Sequence, residues 1–86
     1  MQRYNKITPK GDVQMEKLTE RIRMLRENNH LTQRQLAEYL GLRQQTYSRY
    51  ERGELIPALA SMAALAEFYD TSVDFLVGLT DVLERS

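Results

Sequence analysis

Two glutamines and two arginines, Gln44, Gln45, Arg49 and Arg52, carry the most distinctive side-chain chemistry of this chain. Stepped at about 100° per residue from Gln44, the residues Gln44, Ser48, Arg52, Gln45 and Arg49 fall between 0° and about 140° on a helical wheel. Thr46, Tyr50 and Tyr47 fall near 200°, 240° and 300°. One face is therefore purely polar, and the other is aromatic and suited to burial. A carboxamide can pair bidentate with N6 and N7 of an adenine, and a guanidinium with O6 and N7 of a guanine. A protruding helix with such a face fits the major groove of duplex DNA. The same pattern also fits a helical hairpin with a solvated outer face, and spacing alone leaves both readings standing.

Such a face is useful only if a scaffold holds it out. Immediately upstream, Thr32 followed by Gln35 fits a capping box, and Leu31 and Leu36 fit a hydrophobic staple. Leu36, Ala37 and Leu40 form an inward face, and Gly41 suits a left-handed C′ position. The expected helix covers about residues 33–40. Only Leu42 and Arg43 separate Gly41 from the next helix, about residues 44–52, which Gly53 ends. Two short helices joined by a tight turn containing glycine make a helix-turn-helix unit. Ala37 is small enough for the crossing, and Leu36, Leu40, Leu42, Tyr47 and Tyr50 can lock the pair to a body.

The rest of the chain supplies that body. Leu18, Ile22 and Leu25 repeat at helical spacing, and Asn28-Asn29-His30 tolerates the left-handed geometry that ends a helix. A fourth helix is expected over about residues 58–69, with Leu59, Met62, Leu65, Ala66 and Tyr69 inward. Ser72 can cap a short fifth helix reaching about Val77, and Gly78 stops it. No repeat or strand pattern is present. The expected architecture is all-α, a compact five-helix domain over residues 15–79. A flexible basic arm, 1–14, precedes it, and a tail, 80–86, follows.

Composition narrows the function. The 86 residues are 42% apolar and 28% charged, as in an ordinary single domain. There is no cysteine and one histidine, His30, which argues against disulfide scaffolds and Cys or His metal centres. No nucleophile–base pair or phosphate loop stands out, so neither catalysis nor a cofactor is expected. The longest apolar stretch, residues 55–66, is interrupted by Pro57 and Ser61 and is too short for a bilayer. With no hydrophobic segment behind Met1, a cytoplasmic protein is expected.

The formal net charge of zero conceals a segregation. Residues 1–53 carry 11 Lys+Arg against 6 Asp+Glu, net +5, and residues 54–86 carry 1 against 6, net −5. Such asymmetry suits a polyanionic partner for the first half, although chance produces splits of this size. A dedicated DNA-binding domain often has a pI above about 9, which a balanced chain does not reach.

The run Leu31-Thr32-Gln33-Arg34-Gln35-Leu36-Ala37-Glu38-Tyr39-Leu40-Gly41-Leu42, continued by Tyr50-Glu51-Arg52-Gly53, resembles the phage repressor and Cro type of helix-turn-helix domain, also called the xenobiotic-response-element type. The likeness extends through Pro57, Leu65-Ala66 and Ser72-Val73-Asp74-Phe75-Leu76, about residues 17–79. It implies a lambda-repressor-like fold and a sequence-specific regulator of transcription, a repressor that binds double-stranded DNA. By the same resemblance Gln44, Gln45 and Arg49 occupy base-reading positions. Gln33 occupies the phosphate-contacting first position of the second helix, where the dipole favours an anion. Arg26 and Glu51 match a buried ion pair between the first and third helices. The plain alternatives are solvated surface for the glutamines and two independent charges for Arg26 and Glu51.

Two departures matter. Arg43 stands where the family usually places a capping residue, and arginine cannot accept from helix N–H groups. A local rule broken here suggests a functional site, and Arg43 is expected to contact a phosphate. Glu54-Leu55-Ile56 replaces the basic or polar loop common in the family, so phosphate contacts fall to Gln33, Arg34, Arg43, Arg52 and the arm residues Arg3, Lys6 and Lys10. A single recognition helix reads too few base pairs to find one genomic site, and proteins of this class dimerise on pseudo-palindromes. The candidate interface residues are Leu55, Ile56, Phe75, Leu79, Val82 and Leu83. Phe75 and Leu79 fit an intradomain core equally well. The rival reading is a protein-interaction module on the same fold, an antitoxin or co-regulator adapter whose partner is a toxin or co-regulator.

Overall fold

The computed structural model describes residues 13–84 and contains five helices. They are α1, Met15–Asn28; α2, Gln33–Leu40; α3, Gln44–Arg52; α4, Leu59–Phe68; and α5, Val73–Leu76. Most of the expected basic arm, with Arg3, Lys6 and Lys10, lies outside the described residues.

Local chemistry sets the ends of the central pair. The Gln35 backbone N–H donates to Thr32 Oγ1 at 3.0 Å, and Gln35 Oε1 accepts from the Thr32 N–H at 2.8 Å. This closes the capping box that starts α2. Gly41 ends the helix at φ 71°, in the left-handed region that a side chain disfavours. Arg43 then enters α3 with extended backbone and no side-chain cap. His30 and Asp70 take positive φ, 57° and 55°, just past the ends of α1 and α4, a region in which His and Asp are both enriched.

The core gathers Leu18, Ile22 and Leu25 from α1, Leu36 and Ala37 from α2, Tyr47 and Tyr50 from α3, and Leu65 and Ala66 from α4. Phe75, Leu76 and Val77 complete it. α2 packs on α3, and α1 runs beneath both α3 and α5. This leaves the far side of α3 uncovered.

Two expectations are corrected here. Phe75 is only 6% exposed and belongs to its own domain's core, with the Arg21 guanidinium 4.1 Å from its ring centroid; it is not available to a dimer interface. Leu59 is 72% exposed rather than inward. The inward stripe of α4 runs through Ser61, Met62, Leu65, Ala66 and Tyr69. Leu59 sits roughly 90° from the centre of that stripe, at the helix's first residue.

The segment read as a tail from residue 80 lies against the body. Arg21 Nη1 donates to the carbonyls of Phe75 at 2.5 Å and Thr80 at 2.7 Å, and Nη2 reaches Asp81 Oδ1 at 2.6 Å. The Thr71 hydroxyl donates to the Leu83 carbonyl. At the other end, the Gln14 N–H donates to the Val77 carbonyl at 2.8 Å. Both ends of the described chain are thus joined beside α1.

Candidate nucleic-acid interface

α3 has two unlike faces because its sequence has two unlike sets of side chains. Tyr47, Tyr50 and Glu51 are buried, whereas Gln44, Gln45, Arg49 and Arg52 are exposed. Gln33, Gln44, Gln45, Ser48, Arg49 and Arg52 line one shallow open recess. Amide, hydroxyl and guanidinium groups from α2 and α3 therefore converge on one surface. Ser48, which the sequence places on the polar face, joins the recess beside the base-reading candidates.

A buried network fixes that surface from below. Arg26 grips both oxygens of Glu51 with one edge of its guanidinium, Nε to Oε2 at 2.8 Å and Nη2 to Oε1 at 3.0 Å. Arg26 Nη1 also donates to the Leu31 carbonyl at 3.0 Å, just ahead of α2. Gln33 Nε2 donates to Glu51 Oε1 at 3.0 Å. One carboxylate thus ties α1, α2 and α3 together and orients the Gln33 amide. Burial opposes the charge on Glu51, but the Arg26 guanidinium, the neighbouring Tyr47 hydroxyl and the Gln33 amide prevail and hold its carboxyl below the ordinary value.

Tyr47 completes the packing on this side. Its hydroxyl is buried next to the Glu51 carboxylate without closing a hydrogen bond of regular geometry. Desolvation, with that carboxylate beside it, pushes its pKa far up. Tyr69 is likewise buried and unbonded at its hydroxyl, and burial raises it to about 12. Both stay neutral at physiological pH.

The cations at the rim differ in their engagement. Arg52 lies on Glu54, Nε to Oε2 at 2.9 Å and Nη2 to Oε1 at 3.1 Å, and its Nη1 donates to Ser48 Oγ at 2.5 Å. Arg49 Nε is 3.7 Å from the same Glu54. Arg34 is 3.8 Å from Glu38 on the exposed face of α2, a pair that contributes little. Arg43 is exposed and caps nothing, and no ion pair among the described residues uses it. The sequence flags the acidic loop at Glu54 as a departure. Its grip on Arg52 and Arg49 depends on the turn at Gly53 and is not visible in residue types alone.

Of the remaining dimer candidates, Leu55 is half-buried against the core. Ile56, Leu79, Val82 and Leu83 are exposed. Among the described residues no group of His, Cys, Asp and Glu is placed to hold a metal ion. No helix there is long and apolar enough to cross a membrane.

Comparison with known proteins gives this surface a context. A family model described as helix-turn-helix matches residues 22–76, which takes in all of α2, α3, α4 and α5. The chain is 44% identical over 62 residues to the uncharacterized HTH-type transcriptional regulator YobD of Bacillus subtilis, covering 72% of this chain and 55% of YobD. It is 32% identical over 62 residues to the cryptic phage CTXphi transcriptional repressor RstR of Vibrio cholerae, with the same two shares. It is 33% identical over 58 residues to the HTH-type transcriptional activator BcrR of Enterococcus faecalis, covering 67% of this chain and 28% of BcrR. The chain spans about half the length of the first two of these relatives. No solved structure matches it.

Proposed function

The chain belongs to the helix-turn-helix family, and from that premise we propose that it regulates transcription by binding a specific DNA sequence through the major groove. The observation that carries this reading is the exposed polar face of α3, backed by a buried network that joins α3 to α1 and α2. In this reading Gln44 and Gln45 pair with adenines and Arg49 with a guanine. Gln33 sets its amide and the N-terminal end of α2 on a phosphate. Arg34, Arg43 and Arg52 contact the phosphate backbone.

The protein acts as a dimer on a pseudo-palindromic operator, because two linked half-sites supply the sequence length that one helix lacks. Ile56, Leu55, Leu79, Val82 and Leu83 are the residues for the twofold contact. Repression is the direction we assign. Occupying a promoter blocks it by exclusion alone, whereas activation needs a second surface for polymerase.

Selection of bound duplexes from a random library tests the proposal. The expected result is an enriched palindrome with A or G at the positions facing Gln44, Gln45 and Arg49. Binding without an enriched motif contradicts it and favours the second reading, an antitoxin or co-regulator adapter. One observation speaks for that second reading: Ile56, Leu59, Phe68 and Tyr39 are exposed apolar groups, with the Tyr39 and Phe68 ring centroids 4.7 Å apart and the ring planes tilted by 50°.

A further inference from the structure

Glu54 follows directly on the left-handed Gly53, φ 75°, that ends α3. Its N–H donates back to the Arg49 carbonyl at 3.0 Å. The chain therefore doubles over the last helical turn and sets the Glu54 carboxylate beside Arg49 and Arg52. Three of the five N–H donors of Arg52 are committed, two to Glu54 and one to Ser48. The edge engaged by Glu54, Nε with Nη2, is one that a phosphate can take bidentate. A carboxylate just past a helix C-terminus is opposed by the dipole, so the two guanidinium groups are what favour it there. The group remains ionised at neutral pH, since the Arg52 hydrogen bonds hold its carboxyl below the ordinary value. All three side chains are about half exposed, and exposed pairs exchange at little cost.

We propose that Glu54 is an internal anion that occupies Arg52 and Arg49 in the free protein and must be displaced by a DNA phosphate, so that it lowers the affinity of the α3 surface for the DNA backbone. This rests on the DNA-binding reading of α3. Its consequence is a low background affinity for duplex DNA of arbitrary sequence. Discrimination then depends on the base-reading side chains, the amide pair Gln44 and Gln45 and, once released from Glu54, Arg49.

The test is a binding cycle on a random-sequence duplex at several salt concentrations. It compares the unmodified protein, Glu54→Gln, and Glu67→Gln on α4 as a control with the same change in charge. Arg52→Gln is made in the native and Glu54→Gln backgrounds, and Glu54→Ala repeats the first substitution. Glu54→Gln is expected to bind about three- to tenfold tighter at low salt. Its log–log salt slope should steepen by about 0.9 for each cation freed. Glu67→Gln should change affinity less than about twofold. Arg52→Gln should cost little in the native background and remove most of the gain in the Glu54→Gln background. Equal shifts for Glu54→Gln and Glu67→Gln, or equal costs of Arg52→Gln in both backgrounds, overturn the proposal while leaving DNA binding intact. If no form binds duplex, the DNA reading fails, and retention on heparin decides the internal anion by itself. Stronger retention of Glu54→Gln than of Glu67→Gln, lost with Arg52→Gln, supports it; equal retention overturns it.

Discussion

α3 carries two ion pairs of nearly the same shape in opposite surroundings. Arg26 meets Glu51 at 2.8 and 3.0 Å, and Arg52 meets Glu54 at 2.9 and 3.1 Å. The inner pair is 13% and 3% exposed, the outer pair 52% and 51%. In the interior each partner depends on the other, because an unpaired buried charge has no water to turn to. At the surface water replaces either partner readily. The same chemistry therefore makes a fixed joint on one side of the helix and an exchangeable one on the other. The fixed joint orients α3 and Gln33, and the exchangeable one leaves cations within reach of a polyanion.

The comparison breaks most visibly if the inner pair proves dispensable. Glu51→Ala or Arg26→Ala is expected to cost about 3–5 kcal/mol, measured by urea or thermal unfolding, whereas Glu54→Ala should leave the unfolding midpoint almost unmoved. Similar losses from the two sites would erase the distinction.

Acid sharpens it next. The Glu51 carboxyl is lowered in the folded protein below its ordinary value of 4.5. The unfolded chain therefore takes up this proton first, and stability increases with pH in that range. The contribution is complete well above 4.5 and is lost as pH falls through the ordinary value toward the folded one. Unfolding free energy should decline less steeply with acidification in Glu51→Gln than in the unmodified protein. Parallel declines would mean that other carboxyls dominate.

A smaller effect is expected at the entrance to α3. Arg43→Ser supplies the missing cap acceptor and should stabilise the fold by about 0.5–2 kcal/mol. In the same variant, affinity should weaken by a similar factor on operator and random duplexes, because a phosphate contact carries no sequence information. Unchanged affinity on both removes Arg43 from the interface.

How much of this was legible beforehand follows from the range of each signal. The bounds of α2 and α3 are readable because their caps are local: Thr32 with Gln35, Gly41 and Gly53. The polar face of α3 is equally local, a matter of residue order at helical spacing. The orientation of α4 is not, because the helix is apolar nearly all round and periodicity assigns Leu59 to the core as readily as Ser61. Phe75 fits core or interface until Arg21, 54 residues away, is seen across its ring and backbone. The Arg26–Glu51 pair spans 25 residues, and only resemblance suggested it. The hold of Glu54 on Arg52 hangs on a left-handed turn that residue types permit without specifying.

The most direct test of the central claim is the affinity of Gln44→Ala and Gln45→Ala for the selected operator against a random duplex at one salt concentration. Each substitution is predicted to weaken operator binding by about 1–3 kcal/mol while leaving random-duplex binding nearly unchanged. Equal losses on both duplexes, or none on the operator, would contradict a base-reading face on α3.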